Sequence, residues 1–172
     1  MEITIRKEQV KDFDTVYEIN TNAFETNEEA ELVNKLRQGD AFIPDLSLVA
    51  ESNNEIIGHI LFTKITIESP SGDEFNSLAL APMAVKNSMQ NQGIGSKLVE
   101  YGLDKAAALG FVSVIVLGHE KYYPKFGFIP ASNFEVRAPF DVPETAFMAI
   151  ELKVDSLKKP NGIVKYAKEF GI

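Results

Sequence analysis

The chain contains no cysteine, no tryptophan and only two histidines. Without cysteine there is no disulfide framework, no thiolate metal site and no thiol nucleophile, so covalent cysteine catalysis is excluded. His59 and His119 stand far apart with no helical spacing between them. A metal site would therefore rest mainly on carboxylates, and none is expected. Positive charge is also scarce: 17 Lys plus Arg face 25 Asp plus Glu, a formal net charge of −8. That balance opposes non-specific nucleic-acid binding and favours neutral or cationic partners. No apolar run is long enough to span a bilayer, and no membrane partner is expected. The opening MEITIRKEQVKDFDTVYEI places charges every few residues where a signal peptide needs an apolar stretch. The expected compartment is the cytoplasm.

What is present suits one domain over residues 1–172, because a chain of 172 residues with 45% hydrophobic content buries a sizeable core. Residues 2–6 read as a short strand, and residues 14–23 as a helix with Val16, Ile19 and Ala23 at helical spacing. A second helix is predicted over residues 27–38, with Asn27 as cap, Glu28, Glu29 and Glu31 complementing the first turn, and Gly39 ending it. The block LSLVAESNNEIIGHILFTKITIE changes period and reads as a hairpin turning at Ser52 to Glu55. A third apolar run, FNSLALAPMAVKN, follows the turn SPSGDE, which favours an antiparallel meander. Residues 94–109 form the clearest helix, with Ile94, Leu98, Val99, Leu103, Ala106 and Ala107 inward and Gly110 as its stop. FVSVIVLG then reads as a buried strand, so the chain crosses over to a parallel neighbour. KYYPKFGF reads as a turn or short helix, and AFMAIELK as a last strand. The class is α+β.

Between the third strand and the long helix lies SMQNQGIGSKL, residues 88–98, with two glycines and several side-chain amides at a strand-to-helix turn. Asn and Gly there serve a plain helix start, and equally an anion cradle, since a helix N-terminus offers unpaired N–H groups and the positive end of the dipole. The Walker A pattern fails, because Ser96 and Lys97 follow Gly93 and Gly95 in the wrong arrangement. The dinucleotide fingerprint matches at Gly93 and Gly95, but Leu98 occupies its third glycine position. The preceding meander also departs from a Rossmann alternation.

A third pattern, QxxGxG, is met by Gln90, Gly93 and Gly95. Here the sequence resembles the GNAT superfamily of acetyl-CoA-dependent N-acetyltransferases, in a small bacterial-type branch. The resemblance covers nearly the whole chain: two N-terminal helices, the meander, APMAVKNSMQNQGIGSKLVEYGLDKAAALGF, VSVIVLG and YYPKFGFIPA. Two positions depart from the common family pattern, Asn87 in place of a proline and Asn91 in place of the first glycine. Asn tolerates a left-handed backbone better than most non-glycine residues.

The resemblance implies a mixed, mostly antiparallel sheet of about seven strands with about four helices and a splay between two central parallel strands. It implies that Asn91, Gln92, Gly93, Ile94, Gly95 and Ser96 grip the diphosphate of coenzyme A, with Gln90 shaping the turn. Met83, Ala84 and Val85 would meet the pantetheine arm and supply an oxyanion-stabilising amide. Tyr123 matches the family's general acid, with Tyr122 and Phe126 beside the cofactor. The general base is placed variably in such enzymes. His119 is the leading candidate, with Glu120, Glu25, Glu28 and Glu29 behind it, while His59 reads as a packed strand residue. The acceptor pocket is expected from the N-terminal helices and VRAPFDVPETAF. The implied reaction moves acetyl from acetyl-CoA to a primary amine of a small molecule or peptide, without a covalent enzyme intermediate and without a metal. A silent acetyl-CoA or CoA sensor of the same fold is the alternative, and such folds commonly form homodimers.

Overall fold

The structure, a computed structural model, describes residues 1–172. It holds strands β1 (Thr4–Lys7), β2 (Phe42–Ser52), β3 (Glu55–Glu68), β4 (Glu74–Val85), β5 (Ser113–Leu117), β6 (Ile129–Pro130), β7 (Phe147–Glu151) and β8 (Ile163–Lys165). Its α-helices are α1 (Phe13–Phe24), α2 (Glu28–Arg37) and α3 (Ile94–Ala108). The strands hydrogen-bond in the order β1-β2-β3-β4-β5-β7-β6, with β8 added to β3. β4 and β5 are parallel, pairing Leu78–Leu80 with Val114–Val116, whereas β1–β2, β3–β8, β5–β7 and β6–β7 are antiparallel.

This is the α+β sheet expected from the sequence, with two adjustments. An eighth strand exists because Gly162 lets the C-terminal segment press onto the Glu68 backbone, where any side chain at 162 would collide. The fourth helix is reduced to a single 3-10 turn, Tyr123–Phe126. Pro124 removes a donor, and Gly127, at φ 105°, turns the chain left-handed directly afterwards.

The chain forms two compact units. The first comprises Met1–Phe62 and Ala81–Lys105. Its hairpin turns through Asn53 and Asn54, at φ 51° and 61°, the left-handed pair that a two-residue turn between twisted strands requires. Helix α3 lies against β3 where glycines admit it. Leu98 and Ile94 fill the space at Gly58, and the Phe62 ring occupies the position a Cβ of Gly102 would need. Helices α1 and α2 bury Val16, Ile19, Ala30, Val33 and Leu36. Asn27 was the expected cap of α2, but its side chain bonds no amide there, and Thr26 Oγ1 accepts from Glu28 N–H at 2.9 Å instead.

A polar network is closed within this unit. Arg37 donates to Glu8 at 2.7 and 3.0 Å and lies 3.9 Å over the Phe13 ring. Ser47 Oγ donates to Glu8 at 2.9 Å and sits 3.1 Å from His59 Nε2. The single hydroxyl proton of Ser47 goes to Glu8, so His59 Nε2 is the donor in the second contact. His59, fully buried in β3, is pushed down to about 4 by burial and is neutral at pH 7.

The second unit comprises Thr63–Leu80 and Ala106–Ile172. Ile65, Ile67, Ala79, Ile115, Phe147, Ala149 and Val164 form its core, and Phe140 and Tyr166 pack against it. Ser77 and Ser113 share a hydrogen bond of 2.7 Å in its interior.

Candidate active site

The glycine-containing turn lies in the first unit. A 3-10 turn, Asn87–Met89, follows β4, and Gln90 returns to extended backbone. Asn91 and Gly93 then take left-handed conformations, at φ 62° and 83°, and α3 starts at Ile94. Its first helical bond runs from Lys97 N–H to Gly93 O at 3.1 Å, so the amides of Ile94 and Gly95 lie outside the ladder. The open end of this 15-residue helix presents those amides with the positive end of the dipole behind them, the arrangement that favours an anion. No side chain crowds Gly93, whose Cβ position is empty to 4 Å.

Side-chain amides brace this turn. Gln90 Nε2 donates to Val85 O at 3.3 Å and to Asn87 Oδ1 at 3.2 Å, and Asn87 Nδ2 donates to Asn22 O of α1 at 3.2 Å. The asparagine that departs from the usual pattern thus ties the turn to the end of α1. Upstream, Ala84 is buried while Met83 and Val85 are half-buried. Lys86 N–H bonds Ile57 O at 2.8 Å, which holds the strand end in place.

The second group of candidates lies in the other unit, after β5. Tyr122 and Tyr123 N–H groups both donate to His119 O, at 3.1 and 3.3 Å, folding the chain into a tight turn. Tyr123 is buried, with its ring packed on the Gly118 backbone in the space a side chain there would take. Its neighbours are Tyr122 at 5.1 Å, edge-on, and Phe128 at 5.6 Å. Burial, with a smaller contribution from Tyr122, pushes the Tyr123 phenol up to about 12. The group therefore carries its proton across the physiological range. Tyr122 and Phe126 sit edge-on at 5.3 Å, and Lys125 Nζ lies 4.2 Å over the Tyr122 ring.

His119 and Glu120 are exposed and line an open depression of about 600 Å³ with Gly118, Pro143, Thr145 and Ala146. Gly118 N–H donates to Ala146 O at 2.9 Å, which ties that loop to the end of β5. The carboxylates considered as rival bases are spread along the end of α1 and the start of α2. Glu25 and Glu28 are exposed, and Glu29 is half-buried with one carboxylate oxygen out of solvent and unpartnered. No cluster of His, Cys, Asp or Glu is arranged to hold a metal, and no helix is long and apolar enough to cross a membrane.

One cavity was only partly foreseen. It holds about 180 Å³ between Arg137, Phe140, Asp141, Val142, Glu144 and Phe147. The segment VRAPFDVPETAF pointed to this region and contains Arg137, but the arginine was not singled out within it. The only signal for that residue was a lone arginine opening an otherwise apolar and acidic stretch.

A family model described as the acetyltransferase (GNAT) family matches residues 13–128. Among curated proteins, an uncharacterised N-acetyltransferase of Escherichia coli (strain K12), YjhQ, is 37% identical over 134 residues, covering 77% of this chain and 74% of the relative. A second from the same organism, YhbS, is 33% identical over 149 residues, covering 86% of each chain. Among solved structures, the GNAT family N-acetyltransferase YhbS from Escherichia coli in complex with CoA superposes with a TM-score of 0.91 at 29% identity, covering 100% of this chain and 93% of that one. A GNAT family acetyltransferase from Brucella melitensis in complex with acetyl-CoA gives a TM-score of 0.79 at 30% identity, covering 98% of both.

Proposed function

The chain belongs to the GNAT family of acetyltransferases, and from that premise we propose that it transfers the acetyl group of acetyl-CoA to a primary amine by direct attack in a ternary complex. Acetyl-CoA supplies an activated acyl carbon and a thiolate leaving group. The observation that carries the reading is the helix start itself. Left-handed Asn91 and Gly93 turn the chain so that the Ile94 and Gly95 amides stand outside the helical ladder. Those donors suit a diphosphate, with Gln92 and Ser96 beside them, while Gln90 braces the turn.

In the second unit, Tyr123 holds the proton that the departing sulfur needs. A backbone amide of the segment Met83, Ala84 and Val85 is assigned to the carbonyl oxygen as it gains charge. Tyr122 and Phe126 are assigned to the wall of the cofactor site. His119, exposed at the end of β5, is assigned to take the proton that the amine nitrogen loses on forming the new C–N bond. The balance is one proton off nitrogen and one onto sulfur, with C–N formed and C–S broken. The family match runs through segments of both units, which supports reading residues 1–172 as one acetyltransferase domain. We place it in the cytoplasm.

The test is a thermal-shift titration with acetyl-CoA, CoA and NAD, followed by thiol release across a panel of primary amines. A ligand that binds only the folded chain stabilises it by mass action, by about 2.7 kcal/mol at a hundredfold excess over Kd, and so raises the melting temperature. Stabilisation by both CoA forms and none by NAD is expected, with thiol release in the presence of an amine. Binding without release for any amine favours the silent sensor, and no binding of either CoA form overturns the assignment of the loop.

A further inference from the structure

We propose that the cavity around Arg137 selects acetyl acceptors carrying a carboxylate as well as the reacting amine, that is, free amino acids and close zwitterionic analogues. The proposal rests on the N-acetyltransferase reading and adds the class of acceptor.

The root of Arg137 is fixed while its head is uncommitted. Its N–H donates to Gly162 O at 2.8 Å, and its carbonyl accepts from Val164 N–H at 3.0 Å, so the backbone is bridged on both sides to the C-terminal segment. The guanidinium itself is exposed and enters no ion pair or hydrogen bond. An arginine fork held at its base and open at its tip matches a planar carboxylate in two parallel bonds.

The remaining lining sets which carboxylates suit it. Phe140 and Phe147 meet edge-on at 6.2 Å, and Phe140 stacks on Tyr166 at 6.0 Å, so one wall is a braced aromatic surface. Asp141 and Glu144 add two negative charges beside the single positive one. A bare anion meets repulsion from the two carboxylates, and a bare cation meets the guanidinium. A molecule with both signs satisfies the set, and selection against the other two follows from like-charge opposition. About 180 Å³ is small for a whole ligand and suits the end of one, a carboxylate with a short apolar group.

Connectivity links this cavity to the reacting end. Phe147 is the direct ladder partner of Leu117, and Ala146 O accepts from Gly118 N–H. The loop that carries Asp141 and Glu144 is therefore anchored at the strand end from which His119 and the Tyr123 turn emerge.

The experiment uses the full chain saturated with acetyl-CoA and matched probe pairs that differ by one carboxylate: phenylalanine against 2-phenylethylamine, and leucine against 3-methylbutylamine. Thiol release gives kcat/KM for each. The amino acid of each pair is expected to exceed its amine by about tenfold or more, the size of one charge-assisted interaction. Arg137→Ala should bring that ratio to about one, with the melting temperature and the acetyl-CoA shift retained, because the side chain is exposed and unpaired. Arg137→Lys should keep part of the ratio, having the charge without the fork. Amines used as well as amino acids by the unmodified protein, or a ratio untouched by Arg137→Ala, overturn the proposal. So does release with neither member of any pair while acetyl-CoA still stabilises the chain. Loss of acetyl-CoA stabilisation in the unmodified protein would instead strike the acetyltransferase reading itself, and this proposal with it.

Discussion

Under the proposed mechanism the Tyr123 phenol must reach the reaction still carrying its proton, and burial secures that by raising it to about 12. The raised value also weakens the acid, since a thiol in water titrates at about 8.5. The position of the ring is set by Gly118, which leaves it room, and by Phe128 beneath it. Tyr123→Phe keeps ring and packing and deletes only the proton. It is expected to lower kcat by about a hundredfold or more, the usual contribution of a general acid. The acetyl-CoA thermal shift should stay within a few tenths of a degree of the unmodified protein. Undiminished turnover in this variant would remove the phenol from the mechanism. The contrast with His59 is instructive. Both residues are buried, but His59 is closed off by Ser47 and Glu8, which makes it a part of the interior.

At the scale of elements, long periodic segments were legible because each is patterned by its own burial. The α3 stripe Ile94, Leu98, Val99, Leu103 and Ala106 is buried as read, whereas Ala107, also read as inward, is exposed near the helix end, and the Ser52 to Glu55 turn falls between β2 and β3 as read. Elements whose existence depends on distant partners were not legible. β8 has three residues and forms only because β3 offers an edge, and the two-residue β6 leans on β7 in the same way. The glycine-containing turn was legible as a motif, through glycine spacing, but its bracing was not, because Asn87 reaches Asn22 across 65 positions. That brace makes a prediction. Asn87→Ala removes the acceptor for Gln90 and the tie to α1, each an exposed hydrogen bond worth about 0.5–1.5 kcal/mol. Calorimetric titration should give an acetyl-CoA Kd raised by about three- to tenfold, with kcat little changed and the melting temperature of the ligand-free protein nearly constant. A fall in kcat at unchanged Kd would mean that the brace serves the chemistry and not the turn.

Over the whole molecule, the interior network ties stability to pH in a window where the net charge works in the opposite sense. The formal charge of −8 shrinks as pH falls toward the sequence pI of about 4.8, which relieves self-repulsion and favours the compact state. His59 opposes this. Its folded value of about 4 lies below the value near 6.5 of an unfolded chain, so between those limits the unfolded state binds a proton that the folded state refuses. Stability must then fall as pH drops through the window, by up to about 3 kcal/mol at its lower end. Glu8 favours the charged ring and Arg37 disfavours it, but burial is the larger cause. Asp12, held below its ordinary range by Arg6, keeps its contribution throughout the window and loses it only at lower pH. Surface relief is spread over exposed, screened charges, whereas the His59 cost is met at one dry site, so the buried group should dominate. Urea unfolding at pH 7.5, 6.5, 5.5 and 4.5 should show a falling midpoint. In His59→Gln, which carries no titrating ring, the midpoint should change less over the same range, whatever the substitution costs at pH 7.5. Parallel curves for the two proteins would mean that the acid loss comes from the carboxylates and that the buried histidine takes no part in it.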